Sequence, residues 1–133
     1  MELTIYTDGA SRNNPGEAGA GAYIMRDGRP LERLARYLGT TTNNIAEYTA
    51  AIMGLEYAVQ TGARRVKLLA DSELLVKQVN GQYKVKNEGL KPLHARVKEL
   101  IARIDSVEVQ YIPRAQNKEA DALANKAIDE KLR

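Results

Sequence analysis

Apolar residues at the start of the chain alternate with polar ones, a pattern that predicts β-strands. Residues 2–8 place Leu3 and Ile5 on one face and form the first predicted strand. Residues 18–25 are rich in glycine, alanine and apolar side chains and form the second. Asp27-Gly28 is a hairpin signal, and residues 30–38 follow it as a third strand. The chain is therefore expected to open with an antiparallel meander.

The apolar spacing then changes from that of strands to that of helices. Residues from Ile45 to Val59 recur at helical intervals until Gly62 ends the segment. An apolar fourth strand is predicted at residues 66–70, a short helix at residues 72–80 and a polar loop at residues 81–91. Pro92 suits the first position of the next helix. A fifth strand follows at residues 107–111, and a last helix begins near Asn117.

The order β-β-β-α-β-α-α-β-α predicts the α/β class. Three antiparallel strands are expected to be joined by two parallel ones through helical crossovers, which gives a five-stranded mixed sheet with helices on both faces. A length of 133 residues suits a single domain covering residues 1–133.

Composition narrows the chemistry and the setting. The chain has no cysteine, which excludes disulfides, thiolate metal sites and a cysteine nucleophile. The alternating amino terminus does not resemble a signal peptide, and no apolar run approaches the ~20 residues that span a bilayer. A cytoplasmic protein is expected. The net charge of +3 permits a nucleic acid partner without requiring one, and the absence of Phe and Trp disfavours a generic single-strand binder.

Four acidic residues stand apart from the acids on polar helix faces: Asp8, Glu47, Asp71 and Asp121. Asp8 and Asp71 each end a predicted strand, and sites in α/β sheets prefer the carboxyl ends of strands. Glu47 and Asp121 lie early in predicted helices that can face the same edge. A carboxylate cluster repels itself unless cations neutralise it, and hard oxygen ligands favour Mg²⁺ or Mn²⁺.

Each acid also has an ordinary structural interpretation. Asp8-Gly9 suits a turn, and Asn44 with Glu47 fits a capping box. Asp71 could cap the helix that begins at Ser72, and Asp121 could favour a helix dipole. These alternatives remain open for each residue alone, whereas four acids at converging ends of elements favour a shared cation site.

The segments around the four acids resemble type 1 ribonuclease H. They are TDGASRNNPG, TTNNIAEY, ADS and QNKEADALA, and they occur in register along nearly the whole chain. The resemblance implies a ribonuclease H-like fold and endonucleolytic cleavage of the RNA strand of RNA–DNA hybrids with two Mg²⁺ or Mn²⁺ ions. It also implies that Asp8, Glu47, Asp71 and Asp121 bind the metal, with Asp8 shared between both ions.

The resemblance further implies substrate contacts. Asn14 and Asn43 match readers of the minor groove of the hybrid, with Asn44 as a neighbouring candidate. Gly9 and Ser72 match positions close to the RNA. Thr42 and Asn87 match a pocket for a DNA phosphate, although Thr42 and Asn43 also suit helix capping and Asn87 also suits a turn.

The sequence departs from the family in three places, one of which is Glu73, which follows Ser72 where many members have an amide. Many members carry a histidine before the last carboxylate, where this chain has PRAQNKEAD with Arg114 as the nearest replacement. Arginine stays protonated, so it can bind phosphate but cannot act as a base. His94 is interpreted as structural. Residues 81–91 are also too short for the basic, Trp-containing protrusion of some relatives, which predicts weaker, salt-sensitive binding.

A monomer without an obligate protein partner is expected. Two other functions stay open: a related nuclease that also cleaves double-stranded RNA, and a hybrid-binding module with weak catalysis. A cytosolic metal buffer is a poor alternative because it gives the amide-rich segments no role.

Overall fold

The computed structural model describes residues 1–132, which form one five-stranded sheet and four α-helices. The strands are β1 Glu2–Arg12, β2 Gly16–Arg26, β3 Arg29–Thr41, β4 Arg65–Ala70 and β5 Ser106–Tyr111. The helices are α1 Asn43–Gln60, α2 Glu73–Val79, α3 Lys91–Ala102 and α4 Lys118–Lys131, with a single 3₁₀ turn at Arg114–Gln116.

The sheet has the strand order β3-β2-β1-β4-β5. The β1–β2 and β2–β3 pairs are antiparallel, and the β1–β4 and β4–β5 pairs are parallel. The predicted order of elements and the mixed sheet are confirmed. α1 leads into β4, and α2 and α3 connect β4 with β5, because parallel strands need a crossover connection rather than a hairpin.

The first and third strands are longer than predicted. β1 continues to Arg12, so Asp8 lies within the strand rather than at its end. The reason is that β1 keeps pairing with β2 as far as Arg12 with Glu17, whereas its pairing with β4 stops at Thr7 with Ala70. The added residues are small or polar, so no apolar alternation marks them as a strand.

The main core lies between the sheet and α1 and α3. Leu3, Ile5 and Leu68 of the sheet and Leu55 and Leu100 of the helices are at most 1% exposed. Burying such side chains stabilises the fold by roughly 1.5–3 kcal/mol each. This core fixes α1 against β1, and both elements carry acidic residues of interest.

The opposite face of the sheet is covered by α4, which packs on β2 and its neighbours. A Cβ at Gly21 would lie 2.6 Å from the Ala120 carbonyl oxygen, so this strand position admits only glycine at the present distance. Small residues therefore let α4 approach the sheet closely. No helix within residues 1–132 combines the length and apolar character needed to cross a bilayer.

Two helix starts differ slightly from the prediction. α3 begins at Lys91, so Pro92 takes the second helical position rather than the first. α2 begins at Glu73, and Ser72 precedes it as the cap, with its hydroxyl accepting from the Leu75 N–H at 3.2 Å. The alternative of Asp71 as the cap is therefore wrong, and its carboxylate is left for other contacts.

Candidate metal centre

Asp8 lies on β1, and Asp71 directly follows the neighbouring parallel strand β4. Thr7 of β1 pairs with Ala70 of β4, and the two aspartates are the residues that follow. Asp8 is only 5% exposed. Its side chain is held at the point where β4 ends and β1 continues, so the sheet itself brings the two carboxylates together.

Glu47 reaches the same point from α1. The helix is capped by Thr42, whose hydroxyl accepts from the Ile45 N–H at 3.2 Å. The capping box of Asn44 and Glu47 is therefore wrong. Instead the Glu47 Oε1 accepts from the Gly9 N–H at 2.9 Å, a contact across 38 residues of sequence.

Gly9 allows this contact because it has no side chain. A Cβ at this position would lie 2.3 Å from the backbone carbon of Ala46 and 2.3 Å from the backbone nitrogen of Glu47. Any other residue would push the first turns of α1 away from β1. The glycine that the sequence analysis placed near RNA therefore also determines where Glu47 lies.

Carboxylate oxygens of Asp8, Glu47 and Asp71 lie within 4.8 Å of one another. They open into a cleft of about 400 Å³, which Asp121 also lines from α4. Asp121 is outside the set that meets the 4.8 Å distance, so the structure places three acids together and the fourth beside them. The cleft is lined by Asp8, Gly9, Ala10, Ser11, Arg12, Asn43, Glu47, Asp71, Ser72, Arg114, Asp121 and Asn125.

Within the described part of the chain, the carboxylate cluster has no ion-paired cationic side chain to stabilise its ionised form. Among residues 1–132, no lysine or arginine forms an ion pair with any of the four acids. Burial raises the pKa of Asp8, and the adjacent Glu47 and Asp71 carboxylates raise it further. Burial also raises the pKa of Glu47 to about 7, against the opposing effect of the Gly9 N–H. Such groups are costly to ionise without a cation nearby.

The donor set fits a hard divalent cation. Within residues 1–132 the Glu47 Oε2 is buried and has no hydrogen-bond partner, so one carboxylate oxygen of a cluster residue is left unsatisfied. Every side-chain ligand within the cluster is a carboxylate oxygen. Oxygen-only ligands of this kind suit Mg²⁺ or Mn²⁺ better than Zn²⁺.

Asp121 is positioned by polar contacts of α4. The buried side chain of Asn117 donates from Nδ2 to the Thr7 carbonyl oxygen at 2.9 Å, which ties the start of α4 to β1. The Asp121 N–H in turn donates to the Asn117 carbonyl oxygen at 3.1 Å. The residue before Asp8 and the residue that precedes α4 are thus directly hydrogen-bonded.

The predicted substrate residues divide into two groups. Gly9, Asn43, Ser72 and Arg114 line the cleft. The others do not: Thr42 caps α1, Asn14 accepts the Asn43 N–H at 2.9 Å, Asn44 is exposed, and Asn87 accepts the Gly89 N–H at 2.8 Å in a turn. Asn14 therefore contacts the cleft residue Asn43 without lining the cleft itself, and Asn87 makes the turn contact that was one of its two interpretations.

Three polar residues of the cleft were absent from the sequence prediction: Ser11, Arg12 and Asn125. Asn125 follows Asp121 by four residues, so helical spacing alone could have suggested it. Arg12 gave no such signal, because its contacts with α4 span more than 100 residues of sequence. His94 lies outside the cleft lining, 3.2 Å from the Gln78 carbonyl oxygen and against the Tyr48 ring, in agreement with its structural interpretation.

Comparison with known proteins identifies relatives over the whole described fold. Residues 6–127 match the family described as reverse transcriptase-like. Ribonuclease HI of Halobacterium salinarum is 40% identical over 126 residues, covering 94% of this chain and 63% of that protein. A bifunctional protein of Mycobacterium tuberculosis is 40% identical over 131 residues, covering 97% of this chain and 36% of that protein. The chain thus spans less than two-thirds of these two relatives.

Solved structures that resemble this chain also include ribonucleases H. RNase H1 of Halobacterium salinarum superposes with a TM-score of 0.94 at 38% identity, covering 98% of this chain and 99% of that one. LC11-RNase H1, solved in complex with an RNA/DNA hybrid, superposes with a TM-score of 0.92 at 40% identity, covering 98% and 99%. The resemblance seen in the sequence is confirmed, and the chain belongs to the type 1 ribonuclease H family.

Proposed function

We propose that this protein hydrolyses the RNA strand of RNA–DNA hybrids with two divalent cations, Mg²⁺ or Mn²⁺, bound by Asp8, Glu47, Asp71 and Asp121. The observation that carries the proposal is the carboxylate cluster of Asp8, Glu47 and Asp71, which has no ion-pair partner among residues 1–132 and includes the unsatisfied Glu47 Oε2. The relatives named as ribonuclease H support the reaction, and the LC11 complex supports the substrate class.

The four carboxylates take different roles in this proposal. By the family resemblance, Asp8 would be shared between the two cations. Asp121 would complete the site nearer the attacking water, and Glu47 and Asp71 would hold the cation on the side of the leaving group. Bound cations lower the pKa of the water and stabilise the charge that develops on the phosphate. No covalent intermediate is proposed: the chain has no cysteine, and the Ser72 hydroxyl accepts from the Leu75 N–H as the cap of α2.

The cleft wall provides groups that suit RNA. Asn43 and Ser72 offer an amide and a hydroxyl beside the carboxylates, and such groups can bind 2′-hydroxyls. Asn14 holds the Asn43 backbone from behind. Arg114, exposed at the rim, is placed to bind a phosphate as a fixed cation. Asn44, together with Thr42 and Asn87, remains a proposed contact to the minor groove or to the DNA strand, supported by the family resemblance alone.

The proposed setting is the cytoplasm, with residues 1–133 acting as a single catalytic domain. We propose that this domain works as a monomer without an obligate protein partner or a membrane. Gel filtration coupled to light scattering, at concentrations that span the assay range, tests the oligomeric state.

The function is tested by cleavage of matched duplexes. An RNA–DNA hybrid labelled on either strand is incubated with Mg²⁺, with Mn²⁺ or with a chelator, beside RNA–RNA and DNA–DNA duplexes of the same sequence. Cleavage of the RNA strand only, dependent on the cation, is expected. Asp8→Asn should lower the rate by roughly 1,000-fold, since several kcal/mol of metal-derived stabilisation are lost.

Other outcomes would change the assignment. Equal cleavage of RNA–RNA would identify a broader nuclease of the same superfamily, and binding without cleavage would identify a hybrid-binding module. Full activity of Asp8→Asn, or of the unaltered protein in chelator, would refute the metal site itself.

A further inference from the structure

Three polar residues form a stripe along α4 and face the end of β1. Asp121, Asn125 and Asp129 follow one another at intervals of four, a spacing that places them on one side of a helix. Arg12 meets them from β1: its Nη2 donates to the Asn125 Oδ1 at 3.2 Å and lies 2.7 Å from the Asp129 Oδ1. The Asn125 Nδ2 donates to the Asp121 carbonyl oxygen at 3.0 Å and to its Oδ1 at 3.3 Å.

Arg12 determines which way the Asn125 amide points. A guanidinium offers only donors, so the amide must turn its oxygen toward Arg12. The amide nitrogen then faces Asp121 and can donate to it. Asp129 holds Arg12 in place by charge. The contacts thus run in one direction, from Asp129 through Arg12 and Asn125 to the carboxylate of Asp121.

Stability does not account for this arrangement. The side chains of Arg12 and Asp129 are 40% and 59% exposed, and ion pairs at such exposure contribute little to folding. Its location suggests a different purpose, because Arg12, Asn125 and Asp121 all line the cleft. Asp121 is also the acid that lies outside the tightly grouped set, so its direction depends most on its own neighbours.

We infer that Asn125 is a positioning residue for the cation site, oriented by Arg12 and Asp129. It binds one oxygen of Asp121 and directs the carboxylate into the cleft toward Asp8. This inference rests on the proposed metal site. It goes beyond that site by giving a role to Arg12, Asn125 and Asp129, which have none in the proposed function. Partners of metal ligands of this kind typically contribute 10–100-fold to metal affinity or activity.

The test compares Asn125→Ala, Arg12→Ala and the double variant with the unaltered protein. Lys126→Ala is the matched control, since Lys126 lies next to Asn125 on α4 and contacts only Glu130 among the described ion pairs. Mn²⁺ binding is measured by calorimetry in the absence of nucleic acid, and kcat and KM are measured on a hybrid. Urea unfolding of the metal-free proteins reports any general loss of structure.

Asn125→Ala is expected to weaken Mn²⁺ binding by roughly 10-fold and to lower kcat, with little change in KM for the hybrid. Arg12→Ala should act in the same direction and less strongly. The double variant should match Asn125→Ala, because residues acting through one another are not additive. Lys126→Ala should bind Mn²⁺ as the unaltered protein does.

Unchanged Mn²⁺ binding by Asn125→Ala would overturn the inference. So would an Arg12→Ala variant that raises KM, reduces the salt dependence of binding and adds to the effect of Asn125→Ala, since Arg12 would then contact a phosphate directly. Failure of the unaltered protein to bind Mn²⁺ or to cleave the hybrid is a separate result, which removes the proposed function itself.

Discussion

The two helices that carry acids into the cleft, α1 and α4, are attached to opposite faces of the sheet in different ways. α1 is buried along most of its length, and large side chains such as Tyr48 and Leu55 are at most 1% exposed. α4 buries mainly alanines, together with Ile128, against glycines of β2. Glu47 is therefore carried by the main core, whereas Asp121 is carried by a thin interface with polar anchors.

This difference separates two ways of positioning a ligand. Moving Glu47 requires moving α1 against the whole core, so its place is set by packing. Asp121 depends in addition on a few hydrogen bonds, those of Asn117 and Asn125, because α4 buries few large side chains. Changes on the α1 side are expected to affect folding and the site together, and changes on the α4 side are expected to affect the site more selectively.

The largest effect is expected from Gly9→Ala on the α1 side. Its Cβ would lie 2.3 Å from backbone atoms of Ala46 and Glu47, which cannot retreat without displacing the core. The free energy of unfolding should fall by about 3 kcal/mol, at the upper end for overpacked sites. Urea denaturation measures it, and cleavage of a hybrid should be nearly lost at temperatures where the variant is still folded.

The matching change on the other face is Gly21→Ala, whose Cβ would lie 2.6 Å from the Ala120 carbonyl oxygen. α4 can shift outward more easily, so a smaller loss of about 1 kcal/mol is expected. An equal loss in the free energy of unfolding for Gly9→Ala and Gly21→Ala would mean that α1 and α4 are held with the same rigidity. That result would contradict the proposed difference between the two helices.

The sequence predicted the framework well where apolar periodicity is strong. The element order, the mixed sheet and the meeting of Asp8 with Asp71 all follow from strand patterns and parallel pairing. The sequence was a poorer guide to side-chain positions that depend on contacts between distant segments. The Gly9 N–H bond to Glu47, the Thr42 cap and the Arg12 contacts with α4 each need tertiary structure, and local patterns offered competing answers, such as a capping box at Asn44.

A moderate effect is expected from Asn117→Ala, which removes the polar anchor of α4. Asn117 is 1% exposed, and its Nδ2 donates to the Thr7 carbonyl oxygen. Its replacement by alanine would leave that oxygen without its side-chain donor. The free energy of unfolding should fall by about 2 kcal/mol. Activity should fall further than stability alone explains, because Asp121 lies on the first turn of α4.

Asn80→Ala is the matched control for this change. Asn80 also donates from Nδ2 to a strand carbonyl, that of Val109 at 3.1 Å, but it is exposed and outside the cleft lining. Asn80→Ala should lower the free energy of unfolding by less than about 1 kcal/mol and leave kcat unchanged. If both variants lost activity in proportion to stability alone, the special role of the Asn117 anchor would be disproved.

The smallest expected change is a gain in stability by Asp8→Asn in the absence of divalent cations. Burial and the carboxylates of Glu47 and Asp71 raise the pKa of Asp8, so the folded protein holds this proton more tightly than the unfolded chain does. The free energy of unfolding must then fall as pH rises above the ordinary Asp value of 3.8, since the unfolded chain loses its proton first.

Asp8→Asn removes that penalty, so it should raise the free energy of unfolding near neutral pH by about 1 kcal/mol, with no gain at acidic pH. In saturating Mg²⁺ the unaltered protein should be more stable than Asp8→Asn. Only the unaltered site binds the cation well, and binding to the folded state stabilises that state. Urea denaturation across pH, with and without Mg²⁺, measures both, and a less stable Asp8→Asn in chelator at neutral pH would show that the cluster is neutralised by the protein itself.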